Sequence, residues 1–490
     1  MCEMSNKTCG RVSSLISIFC FACFAGLAAR AQATSDKDQD GLPAWVKEVG
    51  ARRAPAKTKV FSANSYGAKG DGATNSTRAI QKAIDACSKA GGGAVTFEPG
   101  GYVTGALFLK SNVNLRVDAG VTLLGSQEDA DYPPIWTRVA GIEMRWPAAL
   151  INVNGLENVK LSGGGTIDGR GQKWWDRYWA LRKEYEPRGL RWAADYDAER
   201  VRLLVVWKST DVTLENLNLK RAGFWTVQVV YSDHVTVDGI TIRDNAGPST
   251  DGVDIDSSGH VLVENTDIDN NDDDICLKSG RDYDGLRVAR PTEYVVVRNN
   301  LTRRGGGLLS FGSETSGGIR HVVAYGNRGV GTSEGLRFKS ARTRGGYVED
   351  VLIRDTRMEN VPLPFTFTLN WNPSYSYATI PKDAKSIPPH WVLLATPVAP
   401  PERGYCEFRD IRVENVEVVG AKRVFSAEGL PEKPIVNVTF SNVRAEGGEA
   451  GFVEHARDWT MKDVRVKTPN GEPLRLTDCA NVDAPAVVKD

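Results

Sequence analysis

The sequence predicts an all-β protein, a right-handed parallel β-helix with one N-terminal helix capping its open end. Three observations predict it. First, one short pattern recurs from about residue 60 onward, a polar residue followed by alternating apolar residues and often closed by Asn. Clear copies begin at Asp211, His260 and Tyr294 and end at Asn216, Asn265 and Asn299; weaker ones begin at His234, His321, Asp410 and Val436. Second, the starts recur at roughly 23 to 34 residues, the spacing of stacked repeats. Period-two alternation rich in β-branched residues makes strands with one buried face, and such a strand buries that face only by stacking on its equivalent in the next turn. Third, the Asn-Gly and Asp-Gly hairpin turns that a sandwich or propeller requires are few, so the Asn residues are expected in turns, stacked on one another and bonded to backbone.

The elements follow in order. Lys7 and Arg11 precede an apolar run from Leu15 to Ala29, and Ala29-Arg30-Ala31 has the small-x-small form of a cleavage site. Residues 1–31 are therefore read as an export signal, since the run falls short of the roughly 20 residues that span a bilayer. A linker is expected over 32–59, the β-helix over 60–465 and a C-terminal tail over 466–490. Thr77 to Cys87 places apolar residues at helical spacing, with Asn75 or Ser76 as cap and Gly91-Gly92-Gly93 as terminator. Such a helix can plug the first coil, whose core is otherwise exposed. Two segments interrupt the repeat, near 173–200 and 363–403. Their aromatic residues, Trp174, Trp175, Tyr178, Trp179, Tyr185, Trp192 and Tyr196 in one and Trp371, Tyr375, Tyr377 and Trp391 in the other, are expected to wall a binding cleft.

Composition narrows the function classes. The chain carries 61 basic and 61 acidic side chains, which argues against a general electrostatic grip on nucleic acid or an anionic membrane. Of eight cysteines, four lie in the expected signal; Cys87, Cys276, Cys406 and Cys479 are too widely spaced for a zinc site or a disulfide scaffold. No cofactor and no metal are expected, and the chain is expected to act as a monomer.

The chemistry-bearing stretches are Ser249-Thr250-Asp251-Gly-Val-Asp254-Ile-Asp256 and Asn271-Asp272-Asp273-Asp274-Ile-Cys-Leu-Lys278. Carboxylates this dense repel one another. Asp251 and Asp272 are about one repeat apart, which is expected to set one above the other on the same face. Such stacking suits glycoside hydrolysis, where one carboxyl stays protonated to donate and another is ionised to activate water or attack. Two other readings stay open at this point: turn residues that accept backbone N–H bonds, and a calcium site. Arg337 and Lys339 alternate along a strand and share a face, where they suit the carboxylate of an acidic sugar.

These residues, in order, resemble glycoside hydrolase family 28, the polygalacturonases. The resemblance opens with Tyr66-Gly-Ala-Lys-Gly-Asp71-Gly72. It continues through Gly163-Gly-Gly-Thr-Ile-Asp168-Gly169, the aspartate stretches, Lys278-Ser-Gly-Arg281-Asp282, Phe311-Gly-Ser-Glu314 and Arg337-Phe-Lys339, and closes at Gly345-Gly346. It implies inverting hydrolysis of α-linked galacturonate in a pectic polysaccharide or oligogalacturonide. It assigns Asp272 as general acid, Asp251 and Asp273 as the pair that activates water, and Arg337, Lys339 and Lys278 as substrate contacts. Action from chain ends is expected if the aromatic segments close one end of the cleft. Two departures stand out: Ser249 replaces the Asn of the family's Asn-Thr-Asp, and Gly305-Gly306-Gly307 lacks the histidine of its Gly-His-Gly. Rhamnogalacturonan hydrolysis is the alternative, and a non-catalytic carbohydrate-binding β-helix a further one.

Overall fold

The computed structural model describes residues 41–490, so the expected signal and the first part of the linker lie outside the described residues. From Val60 onward the chain is a right-handed parallel β-helix in which each coil contributes strands to three parallel stacks. The first stack runs through Leu204–Trp207, Val227–Val230, Val253–Asp256, Ile275–Lys278, Leu309–Phe311, Glu334–Lys339 and Leu363–Thr368. The second runs through Thr210–Glu215, Asp233–Asp238, Gly259–Glu264, Thr292–Arg298 and Ile319–Tyr325. The third holds shorter strands, from Asn218–Lys220 to Arg328–Val330.

Alternation along each strand separates core from surface. In the first stack Val229, Ile255, Leu277, Phe311, Phe338 and Phe367 face one another from coil to coil along the buried interior. The three phenylalanine rings lie face to face, with centroids 4.3 and 4.6 Å apart. The residues between them form an outward row, Asp254, Cys276, Ser310 and Arg337, and this row carries the site.

The turns obey the same period. The residues that open the second-stack strands, among them Asp211, His234, His260, Tyr294 and His321, adopt the left-handed backbone region. Their side chains stack upon one another: the rings of His234, His260, Tyr294 and His321 are 4.5, 4.9 and 4.7 Å apart in succession. The expected asparagine contacts are present at the strand ends, where Asn265 donates to Asp238 at 2.8 Å and Asn442 to Asn415 at 2.9 Å. A buried pair, Asn300 and Asn327, bonds the backbone carbonyls of Val263 and Val297. These two buried amides thus find partners on neighbouring coils.

The capping helix spans Thr77–Lys89 and buries Ile80, Ala83, Ile84 and Cys87; the Asn75 side chain accepts from the Thr77 N–H at 3.0 Å. Three boundaries differ from the sequence reading. Gly50, Ala51 and Arg52 hydrogen-bond to His260, Thr236 and Asp211, so this part of the linker lies along the coils. Leu363–Thr368 is a strand of the first stack, and the second insertion begins only after it. Parallel pairing continues through Ala486–Lys489, where a tail was expected. Short strands broken by Asn, Pro and charge carry too little alternation to be recognised.

The described cysteines are free thiols, with Cys87, Cys276 and Cys406 buried. No helix among the described residues is long and apolar enough to cross a membrane. Because the phenylalanine row has no polar partner to relax toward, Phe338→Ala should cost about 3–5 kcal/mol. A denaturant midpoint unchanged from wild type would contradict that packing.

Candidate active site

The site lies on the outward face of the first stack, where two consecutive coils turn into their strands. Thr250 fixes the first turn: its hydroxyl donates to the carbonyls of Asn245 at 3.0 Å and Gly247 at 2.8 Å. The register Val253↔Ile275, carried two residues back, sets Asp251 beside Asp273, and the Gly252 N–H donates to the Asp273 carbonyl at 2.9 Å. The partner stacked on Asp251 is therefore Asp273, not the Asp272 expected from spacing. Asp272 lies at the turn before it, where one of its oxygens accepts the Asp273 N–H at 3.0 Å. One oxygen from each of Asp251, Asp272 and Asp273 lies within 4.8 Å of the others.

Asp273 is held by later coils. Its Oδ1 accepts from Ser310 at 2.7 Å and from Arg337 at 2.9 Å, and its Oδ2 accepts from Lys339 at 2.6 Å. Burial works against its ionisation, but Lys339, Arg337 and Lys278 outweigh that and hold the carboxyl far below the usual range. Asp272 has the opposite fate: burial first, then the charge of Asp273, raises it above the ordinary carboxylate value. Two adjacent carboxyls are thus driven apart in proton affinity.

Lys278 is buried and reaches the cavity lining from among the acids. Its ammonium lies 3.4 Å from Asp251, 3.4 Å from Asp254 and 3.5 Å from Glu314, and 4.9 Å from the centre of the Trp225 ring. Burial opposes that charge; the acidic neighbours Glu314, Asp254 and Asp251 overcome it and favour the ammonium. Asp251 and Asp254 are both raised, chiefly by burial, against the pull of Lys278. Five carboxyls, Asp251, Asp254, Asp272, Asp273 and Glu314, thus share three cations, and a desolvated cluster of that balance retains protons.

The triplet Gly305-Gly306-Gly307 acquires a physical reason. A Cβ on Gly306 would lie 3.2 Å from the Arg337 guanidinium and 3.1 Å from the Asp273 nitrogen. Arg337 thus fills the space beside Asp273 into which a side chain at 306 would extend. A Cβ on Gly305 would lie 2.5 Å from the carboxylate of Asp274, which is fully buried with no hydrogen-bond partner among the described residues.

The aromatic segments only partly form the cleft. Trp174, Trp175, Tyr178, Trp192, Tyr196 and Trp391 are buried, most of them packing the insertions onto the body. Of the aromatics expected to wall the cleft, Trp371 and Tyr375 line the cavity, joined by Phe224 and Trp225 from the coil. Phe224, Trp225, Asp254, Ser310, Glu314, Arg191 and Asp195 were not singled out by sequence reasoning as site residues. Asp254 and Glu314 stand within motifs already quoted, whereas Arg191 and Asp195 lie in an insertion without any period.

A parallel β-helix with carboxyls of opposed proton affinity side by side in an outward cleft is an arrangement suited to glycoside cleavage. Residues 87–375 match glycosyl hydrolases family 28. The chain is 31% identical over 411 residues to a "Probable polygalacturonase" of Vitis vinifera, covering 81% of this chain and 76% of that one. It is 27% identical to an "Endo-polygalacturonase" of Pectobacterium carotovorum subsp. carotovorum, covering 86% and 92%. A hyperthermoactive exopolygalacturonase from Thermotoga maritima superposes with a TM-score of 0.70 at 25% identity, covering 85% of this chain and 95% of that one. The protein belongs to glycoside hydrolase family 28 and is a glycoside hydrolase.

Gly305→Ala should lower stability by about 1–3 kcal/mol through overlap with Asp274. Adding Asp274→Ala should recover most of that loss, a coupling that a double-mutant denaturation cycle measures. Strictly additive losses would contradict the contact.

Proposed function

We propose that this protein hydrolyses α-linked galacturonate in pectic polysaccharide, with inversion and from chain ends, and that Asp272 is its general acid. The observation that carries the reading is the contrast at one cleft between Asp273, bonded by Ser310, Arg337 and Lys339, and its neighbour Asp272, whose side chain accepts from the Asp273 N–H and pairs with no cation among the described residues. Asp272 retains a proton for the leaving oxygen. Asp273, held ionised by Lys339, Arg337 and Lys278, receives the proton of the attacking water, and Asp251 on the preceding coil helps to orient that water. Both relatives and the superposed structure carry names of galacturonan-cleaving enzymes. The leader pattern at residues 1–31 supports export, as a polymer outside the cell requires.

The carboxyl spacing departs from the simplest expectation. Inverting pairs are commonly about 6.5–9.5 Å apart, and oxygens within 4.8 Å fall short of that. Inversion is instead supported by the engagement of Asp273. With both oxygens bonded to Ser310, Arg337 and Lys339 it is a poor nucleophile. Chain-end action is supported by what crowds the cavity: Arg191 and Asp195 from the first insertion, Trp371 and Tyr375 from the second, and Ala140 at a hairpin tip.

Asp272→Asn should lower kcat on polygalacturonate by about 10²–10⁴-fold with little change in KM, because a proton donor acts in the transition state. NMR of the first product should show the inverted anomer; a retained anomer, or near-normal turnover of the variant, overturns the assignment. The pH profile offers a separate check. Asp273 must be ionised, so activity rises as pH climbs through its pKa, which Lys339 depresses. In Lys339→Met the acidic limb of kcat/KM should move to higher pH; an unmoved limb contradicts the clamp.

A further inference from the structure

Arg337 and Lys339, the cations expected to meet the substrate carboxylate, are both bound to Asp273, and Lys278 is buried among acids. One further cation lines the cavity, Arg191 of the first insertion. It donates through Nη1 to Asp195 Oδ2 at 2.8 Å, and its guanidinium lies 5.0 Å from the centre of the Tyr375 ring. No other hydrogen bond from Arg191 is made among the described residues, so its Nε and Nη2 are free to pair with a ligand. The side chain keeps 15% of its surface exposed.

Asp195 does not cancel Arg191. Its Oδ1 accepts from the buried Arg200 at 2.7 Å and from the Ser249 hydroxyl at 3.0 Å. Two arginines thus face one carboxylate, leaving this wall of the cavity net positive. Ser249, the residue that departs from the family triplet, ties the wall to the turn that carries Asp251. A planar guanidinium with a free N–H edge, held over an aromatic ring and anchored by a saturated carboxylate, is preorganised to bind a second carboxylate bidentately.

We infer that Arg191 binds the carboxylate of the galacturonate ring at the chain end and makes end recognition depend on an unesterified uronic acid. The inference rests on the chain-end reading above. Its test compares trigalacturonate with the same oligomer methyl-esterified only on its terminal ring at the non-reducing end. Arg191→Gln should raise KM for trigalacturonate by about 10- to 100-fold with kcat within a few-fold. On the ester the variant and the wild type should have similar KM. Arg191→Lys, which keeps the charge and the pairing to Asp195, should recover part of the loss and shows that the protein is folded. Equal losses on both substrates would make Arg191 merely structural and overturn the inference; so would unchanged KM. Wild-type product sizes address the chain-end reading separately. Mixed oligomers from the first turnovers would overturn that reading, and the terminal-ring assignment with it, while an altered KM comparison bears on Arg191 alone.

Discussion

The Asp273 carboxylate, bonded by Ser310 on one following coil and by Arg337 and Lys339 on the next, is the contact around which the site is organised. Three coils converge on one anion because parallel stacking repeats the same outward position at each turn. Remove the register and the cations would have no reason to meet an aspartate 64 and 66 residues earlier in the chain. Once Asp273 is fixed as an anion, its field and the surrounding burial raise Asp272. The difference between two neighbouring carboxyls is thus a property of the fold rather than of either residue.

The same charge balance explains the buried layer beneath. Lys278 bridges Asp251, Asp254 and Glu314 at the cavity lining, and so holds three acids together. Breaking such a buried network by removing one partner is far more damaging than its net worth suggests, since it strands uncompensated charge. The insertions complete the enclosure: their own aromatics form small cores that dock them, leaving Arg191, Asp195, Trp371 and Tyr375 at the cavity.

Much of the coil was legible in the sequence, because one-sided alternation at a repeating interval leaves few architectures open. The clustering of Asp251, Asp272 and Asp273 was legible for the same reason. Finer placement was not. A shift of one residue decides whether Asp251 meets Asp272 or Asp273, and the interval between coils varies with turn length, so only the register resolves it. Arg191 and Asp195 lie in a segment with no periodicity, and their position depends on how helix Gln172–Tyr185 and the chain after it dock. Gly306 signalled a missing side chain, but that Arg337 fills the space follows only from the packing.

Neutron diffraction from crystals in mildly acidic buffer tests the central claim most directly, since it locates the exchangeable protons on the carboxyls. The account predicts a deuteron on Asp272 and none on Asp273, whose oxygens accept from Ser310, Arg337 and Lys339. A bare Asp272, or a deuteron on Asp273, would contradict it.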